Sequence, residues 1–180
     1  MCVRTYVRYQ ECAGARKWSS ISCVSDERSR LAAGAWAALL QVHAALVPSL
    51  DRALQRAAGL PLSWYDVLLE LAAAPGRRLT MSELSERVVL SRTRVSRIVA
   101  ELVTAGLVRR EGNPDDGRSA FAVMTADGLA RYRAAAPHYL ASIEKQFAGG
   151  LTDAELGSIA NALRKVLQQP MTLGPHGPRD

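Results

Sequence analysis

The chain predicts a mainly α-helical fold with a small β-hairpin, and three observations lead there. Apolar residues recur at the helical period through most of residues 26–168, in stretches opened by Ser, Thr or Asp and closed by Gly or Pro. Two short runs of strand-forming residues, 107–111 and 119–124, flank a loop of Gly, Asn, Pro and Asp. The pattern of two short, closely spaced helices comes immediately before that hairpin.

A first helix is expected over residues 26–47, where Trp36, Leu39, Leu40, His43, Leu46 and Val47 form one apolar stripe. Pro48 is expected to break or bend it, leaving residues 50–58 as a short second helix ended by Gly59. A third starts near Ser63, carries Trp64, Val67, Leu68 and Leu71 on one face, and stops at Pro75-Gly76.

Thr80 is a natural N-cap and Glu83 completes a capping box, so the next helix begins there and runs to about Val88. Ser91 caps the following one, which ends near Gly106 and buries Val95, Ile98, Val99, Leu102 and Val103. About two residues between the pair force a sharp crossing, the outline of a helix-turn-helix. The hairpin that follows is then a wing, with turn-forming residues 112–118 at its tip. Thr125 caps a further helix expected to bury Leu129, Tyr132, Ala136, Leu140, Ile143 and Phe147, kinked at Pro137. Thr152 to Glu155 form another capping box, opening a last helix that presents Leu156, Ile159, Ala160, Leu163, Val166 and Leu167.

At 180 residues and 48% apolar, the chain suits one domain with a real core. No apolar run is read as reaching the ~20 residues of a membrane span, and residues 1–25 lack the apolar stretch of a signal peptide. A soluble, cytoplasmic protein without a membrane partner is therefore expected. Residues 1–25 read as a poorly ordered extension, which an upstream, non-native start would also produce, and residues 169–180 as a flexible tail. The formal charge is +6, of which residues 1–25 supply +3, so the case for an anionic partner rests on how the other arginines are grouped.

Those arginines are grouped on the second helix of the pair. On a wheel its apolar residues cluster on one side, while Thr93, Arg94 and Arg97 emerge on or near the other, with Arg92 at the first turn. A helix ~10–12 Å across fits the major groove of B-DNA. Arginine there can bond guanine bidentately, and Ser91 and Thr93 can reach phosphates or bases. Taken alone, the helix could equally show an ordinary wet face. The wing shifts the balance, because Arg118 sits at its tip as an exposed cation able to enter a minor groove. Asp116 is expected to hold the Arg118 rotamer or brace the loop. The expected partner is double-stranded DNA.

The segments Gly106-Leu107-Val108-Arg109-Arg110, Asp116-Gly117-Arg118 and Met124-Thr125-Ala126-Asp127-Gly128 resemble the signature of the MarR family. That signature is a G-L-[VI] helix exit, a D-x-R wing and an L-T-x-x-G junction. Met124 replaces the usual leucine, a volume-conserving swap. The resemblance covers about residues 30–168 and leaves both tails unexplained.

It implies a bacterial transcriptional regulator with a winged helix-turn-helix over residues 61–125, flanked by dimerisation helices at 26–60 and 126–168. Arg118 would be the minor-groove contact with Asp116 its support, and Ser91, Arg92, Thr93, Arg94 and Arg97 would face the major groove. Arg77, Arg78, Arg109 and Arg110 would add phosphate contacts. A homodimer on a palindromic operator is implied, as is a repressor released by a small aromatic or phenolic effector. His43, Trp64 and Tyr65 are the candidate lining of an effector crevice, although core packing explains Trp64 equally well.

Two other readings remain at this stage. A winged helix can bind protein instead of DNA, but the arginines at 92, 94, 97 and 118 argue against that. A thiol-based redox sensor would need a reactive cysteine, and Cys2, Cys12 and Cys23 all precede the first helix, where hydroperoxide-sensing relatives carry theirs. No phosphate loop or metal-ligand spacing is present, and histidines 43, 138 and 176 are scattered, so neither an enzyme nor a cofactor is expected.

Overall fold

A computed structural model of the chain describes residues 26–88, 90–113 and 119–169. The extension at 1–25 with its cysteines, the wing tip with Asp116 and Arg118, and the tail from 170 lie outside the described residues. The chain divides after Ala45 into two units.

Helix α1 spans Glu27–Ala58 without interruption, so Pro48 does not break it as expected. Pro48 is exposed, and the carbonyl it leaves without a partner can be solvated. After Pro48 the stripe continues through Leu50 and Leu54, both buried, which anchors the helix beyond the proline. In the first unit the stripe is largely exposed, with Leu31 at 68% and Trp36 at 60%. The uncharged apolar run of α1 is longer than the sequence reading expected. Residues 31–50 contain no Asp, Glu, Lys or Arg, and α1, with an 18-residue stretch of mean hydropathy 1.5, is long and apolar enough to cross a bilayer by length and composition. Gly34, Gln41, His43 and Pro48 punctuate that run but leave it uncharged.

The second unit holds the remaining elements. Helix α2 is Leu62–Ala73, and Pro61 before it offers no side-chain cap. Asp51 supplies one instead, its Oδ1 accepting the Leu62 N–H at 2.8 Å. Strand β1, Arg78–Thr80, was not expected; it follows a tight turn at Pro75–Arg77. Helices α3, Met81–Arg87, and α4, Arg92–Thr104, form the helix-turn-helix, with four residues between them rather than about two. Strands β2, Val108–Gly112, and β3, Ala120–Met124, form the wing.

The sheet order is β1-β3-β2, antiparallel throughout. Leu79 pairs with Ala122 in β3, and Val108 with Met124. These four residues are buried in the same core as Leu68 and Leu71 of α2, Leu84 of α3 and Val99 of α4.

Helix α5, Ala126–Ile143, passes through the exposed Pro137 and runs into a π turn at Glu144–Ala148. Ala135 is buried at its centre, but Leu140, expected to be buried, is 62% exposed. Helix α6, Asp153–Leu167, buries none of its residues and exposes Val166 and Leu167. The terminal helices thus carry apolar stripes that no other described residue covers.

The exit from α4 is a Schellman turn. Gly106, at φ +73°, donates to the Val103 carbonyl, and Leu107 donates to that of Leu102. Thr125, at the end of the wing, donates from its backbone N–H to the Leu107 carbonyl and from Oγ1 to the Gly106 carbonyl at 2.8 Å. The same Oγ1 accepts from the Gly128 N–H at 3.0 Å, capping α5. The segments of the sequence signature at 106–107 and 124–128 therefore meet in space.

Candidate nucleic-acid interface

Helix α3 is fixed at its start by a reciprocal cap. Thr80 Oγ1 accepts from the Glu83 N–H at 3.2 Å, and Glu83 Oε2 accepts from both the N–H and Oγ1 of Thr80 at 2.8 Å. These bonds favour the ionised carboxylate and hold Glu83 below the usual glutamate range. Its last turn ends in a bend where Leu90 donates to the Val88 carbonyl at 2.7 Å.

Ser91 then caps α4, its Oγ accepting from the Arg94 N–H at 3.4 Å. The hydroxyl hydrogen can still donate to a phosphate, so capping and DNA contact are compatible roles. Val95, Ile98, Val99 and Leu102 are buried beneath α4. Val103 was expected with them but is 36% exposed. It lies about 80° round the helix from Val95, at the edge of the stripe.

On the outward side Ser91, Arg92, Thr93, Arg94 and Arg97 are all exposed. Three guanidinium groups therefore occupy the first turn and a half, at the positive end of the helix dipole. Arg97 is not alone there. Its Nε lies 3.5 Å from Glu101 Oε1, and the other carboxylate oxygen, Oε2, accepts from Trp64 Nε1 at 3.0 Å. The i,i+4 spacing of Arg97 and Glu101 was visible in the sequence, whereas the indole comes from 37 residues upstream.

The tip-side end of the wing's strands is clasped by Asn113, which sequence reading missed. Its backbone N–H donates to the Ser119 carbonyl at 3.2 Å and its Nδ2 to Ser119 Oγ at 2.8 Å. Arg109 pairs with Glu111 on the same strand, and the Arg78 guanidinium sits 4.8 Å from the centre of the Phe121 ring. Those two arginines have protein partners, and all four of Arg77, Arg78, Arg109 and Arg110 are exposed.

Of the candidate effector residues, His43 is exposed on α1, and Trp64 is half-buried against the core while its indole N–H bonds Glu101. Tyr65 is buried, with its ring 5.4 Å from that of Tyr132 and 4.7 Å from that of Tyr139. Burial raises the Tyr65 and Tyr139 hydroxyls above the usual tyrosine range. An open cleft of about 600 Å³ lies elsewhere, over the outer sheet face between Arg78, Arg87, Arg109 and Phe121.

Known proteins share this fold. The model of the MarR family matches residues 58–119. Transcriptional regulator HosA of Escherichia coli O111:H- is 31% identical over 103 residues, covering 57% of this chain and 74% of that protein. Among solved structures, Sco3205, a MarR family transcriptional regulator from Streptomyces coelicolor in complex with DNA, is 36% identical with a TM-score of 0.70. The match covers 76% of this chain and 87% of that one. AbsC, a MarR family regulator from the same organism, is 34% identical with a TM-score of 0.68, covering 74% of this chain and 90% of that one. Identity of 31% over 74% of the length of HosA, and of 36% over 87% of Sco3205 on the same fold, reflects common descent: this protein belongs to the MarR family and is a transcriptional regulator, not an enzyme.

Proposed function

We propose that the protein is a homodimeric repressor that grips a palindromic operator in double-stranded DNA and releases it when a small aromatic or phenolic effector binds. One observation carries the DNA reading. Arg92, Thr93, Arg94 and Arg97 are exposed on a helix whose opposite face buries Val95, Ile98, Val99 and Leu102, immediately before a wing. Ser91 joins them as a phosphate or base contact, Arg118 enters the minor groove, and Asp116 supports it. The solved DNA complex of Sco3205 supports the same use of the fold.

Residues 61–125 serve as the DNA-binding region, and residues 26–60 and 126–168 as dimerisation helices. The exposed Trp36 of α1, Leu140 of α5 and Val166 and Leu167 of α6 support that division, since water-facing apolar stripes call for a partner. A second copy brings a second α4, so the operator has half-sites about one helical turn apart. His43, Trp64 and Tyr65 are the residues through which the effector acts, and the protein works in the bacterial cytoplasm, where its DNA lies.

The deciding experiment selects duplexes from a randomised library with the full chain and footprints the winners. Paired protected half-sites, a sedimenting mass twice 19.5 kDa and affinity that falls steeply with salt are expected. Arg118→Ala weakens binding to the selected duplex while leaving the melting temperature unchanged. Unchanged affinity removes the wing from the mechanism, and a single unpaired site removes the dimer. A thermal-shift screen of phenolic acids tests release: a stabilising compound must also dissociate the duplex.

A further inference from the structure

We propose that Glu101 is a positioning residue that decides how Arg97 meets DNA, with Trp64 holding Glu101 in place. This rests on the reading of Arg97 as a DNA contact. The starting point is a carboxylate divided between two partners: Oε2 takes the indole N–H of Trp64 at 3.0 Å, and Oε1 faces Arg97 Nε at 3.5 Å.

Left to themselves, Arg97 and Glu101 make a loose pair. Their side chains are 76% and 44% exposed, and an arginine four residues before a glutamate is the weaker order on a helix. Trp64 changes this. It packs against the core from α2, its indole has only a donor to offer, and the ring moves about two torsions. A carboxylate bonded to that indole has already lost most of its freedom. Arg97 therefore meets an ordered anion rather than a mobile one.

The consequence is chemical. With Nε turned toward Glu101, the two terminal nitrogens of Arg97 form the free edge of the fork, the edge that pairs with guanine O6 and N7. An untethered guanidinium would instead swing to the nearest phosphate, a contact that reads no sequence. Among the described residues, Arg97 is the one arginine of α4 with such an ion pair. Glu101 thus trades general grip for base reading at one position.

The test compares the full-length protein and its variants on two probes: the duplex that the wild type selects from a randomised library, and a scrambled duplex of equal composition. Glu101→Gln keeps an oxygen for the indole and removes the charge. It should tighten binding to the scrambled duplex ~3–10-fold, change the selected duplex by less than ~2-fold, and steepen the salt dependence by about one phosphate contact. Trp64→Phe keeps the ring, drops the donor and should move the ratio the same way by less. In an Arg97→Ala background, Glu101→Gln should have no effect. If it still tightens scrambled binding there, the effect is general charge repulsion and the positioning role is overturned. If Arg97→Ala weakens selected binding but Glu101→Gln and Trp64→Phe leave the ratio unchanged, Arg97 reads DNA without Glu101. A neutral Arg97→Ala overturns this proposal together with the DNA contact beneath it.

Discussion

The carbonyl oxygen of Leu107 lies 2.1 Å from the point where a Cβ on Gly128 would sit. Backbone from the α4 exit and backbone from the α5 start are pressed together there, and only a residue without a side chain lets them touch. Gly128→Ala should therefore cost about 1–3 kcal/mol in urea denaturation, because backbone and not a flexible side chain must move. Gly106→Ala meets open space and only the strain of φ +73°, so it should cost about 1 kcal/mol. Equal losses for the two would contradict this geometry.

Thr80→Ala should cost about 1 kcal/mol, since it removes the N-cap and the hydroxyl partner of the Glu83 carboxylate, leaving only its backbone N–H partner. Glu83 is held below its ordinary pKa, so its contribution is present above the unfolded value and fades as pH falls through the folded one. The stability gap between wild type and variant should accordingly narrow under acid conditions. A gap that widens there would rule out the capping box as its source.

Asp66 runs the other way. Burial first, then Glu70 and Asp51 nearby, raise its carboxyl from 3.8 to about 6. The folded state thus holds the proton more tightly than the unfolded chain. No penalty exists below pH 3.8; it grows as pH rises through about 6 and is complete above that. Asp66→Asn should stabilise the protein by about 1–2 kcal/mol at pH 8, allowing for solvent screening, and by nothing in acid. Thermal melts across that range would show it, and a pH-independent difference would refute it.

Arg94→Ala should relax base preference at one position in each half-site, at ~1–3 kcal/mol, when variant and wild type select from the same library. A loss spread evenly over all sequences would make Arg94 a phosphate contact instead.

Much of this fold was legible because its boundaries are written locally. The caps at Thr80, Ser91, Thr125 and Thr152 each involve residues three apart, so sequence alone placed four helix starts. Pro48 misled because its penalty is local while the burial of Leu50 and Leu54 that outweighs it is tertiary. Strand β1 has three residues, too few to show a period, and exists because β3 offers it an edge. In the interface, the exposed arginines followed from the helical wheel. Trp64 at Glu101 and Asn113 at Ser119 did not, since neither side chain announces a partner 37 or six residues away.

The bond from Leu62 N–H to Asp51 Oδ1 makes the corner between α1 and α2 a mitred joint. Neither helix end can fray alone: the amide of Leu62 reaches solvent only when the C-terminal stretch of α1 lets go. In hydrogen exchange that amide should open with the body of the domain, on the slow timescale of its interior. A surface corner that would ordinarily be an early point of proteolytic nicking is thereby bound to the last part of the protein to come apart.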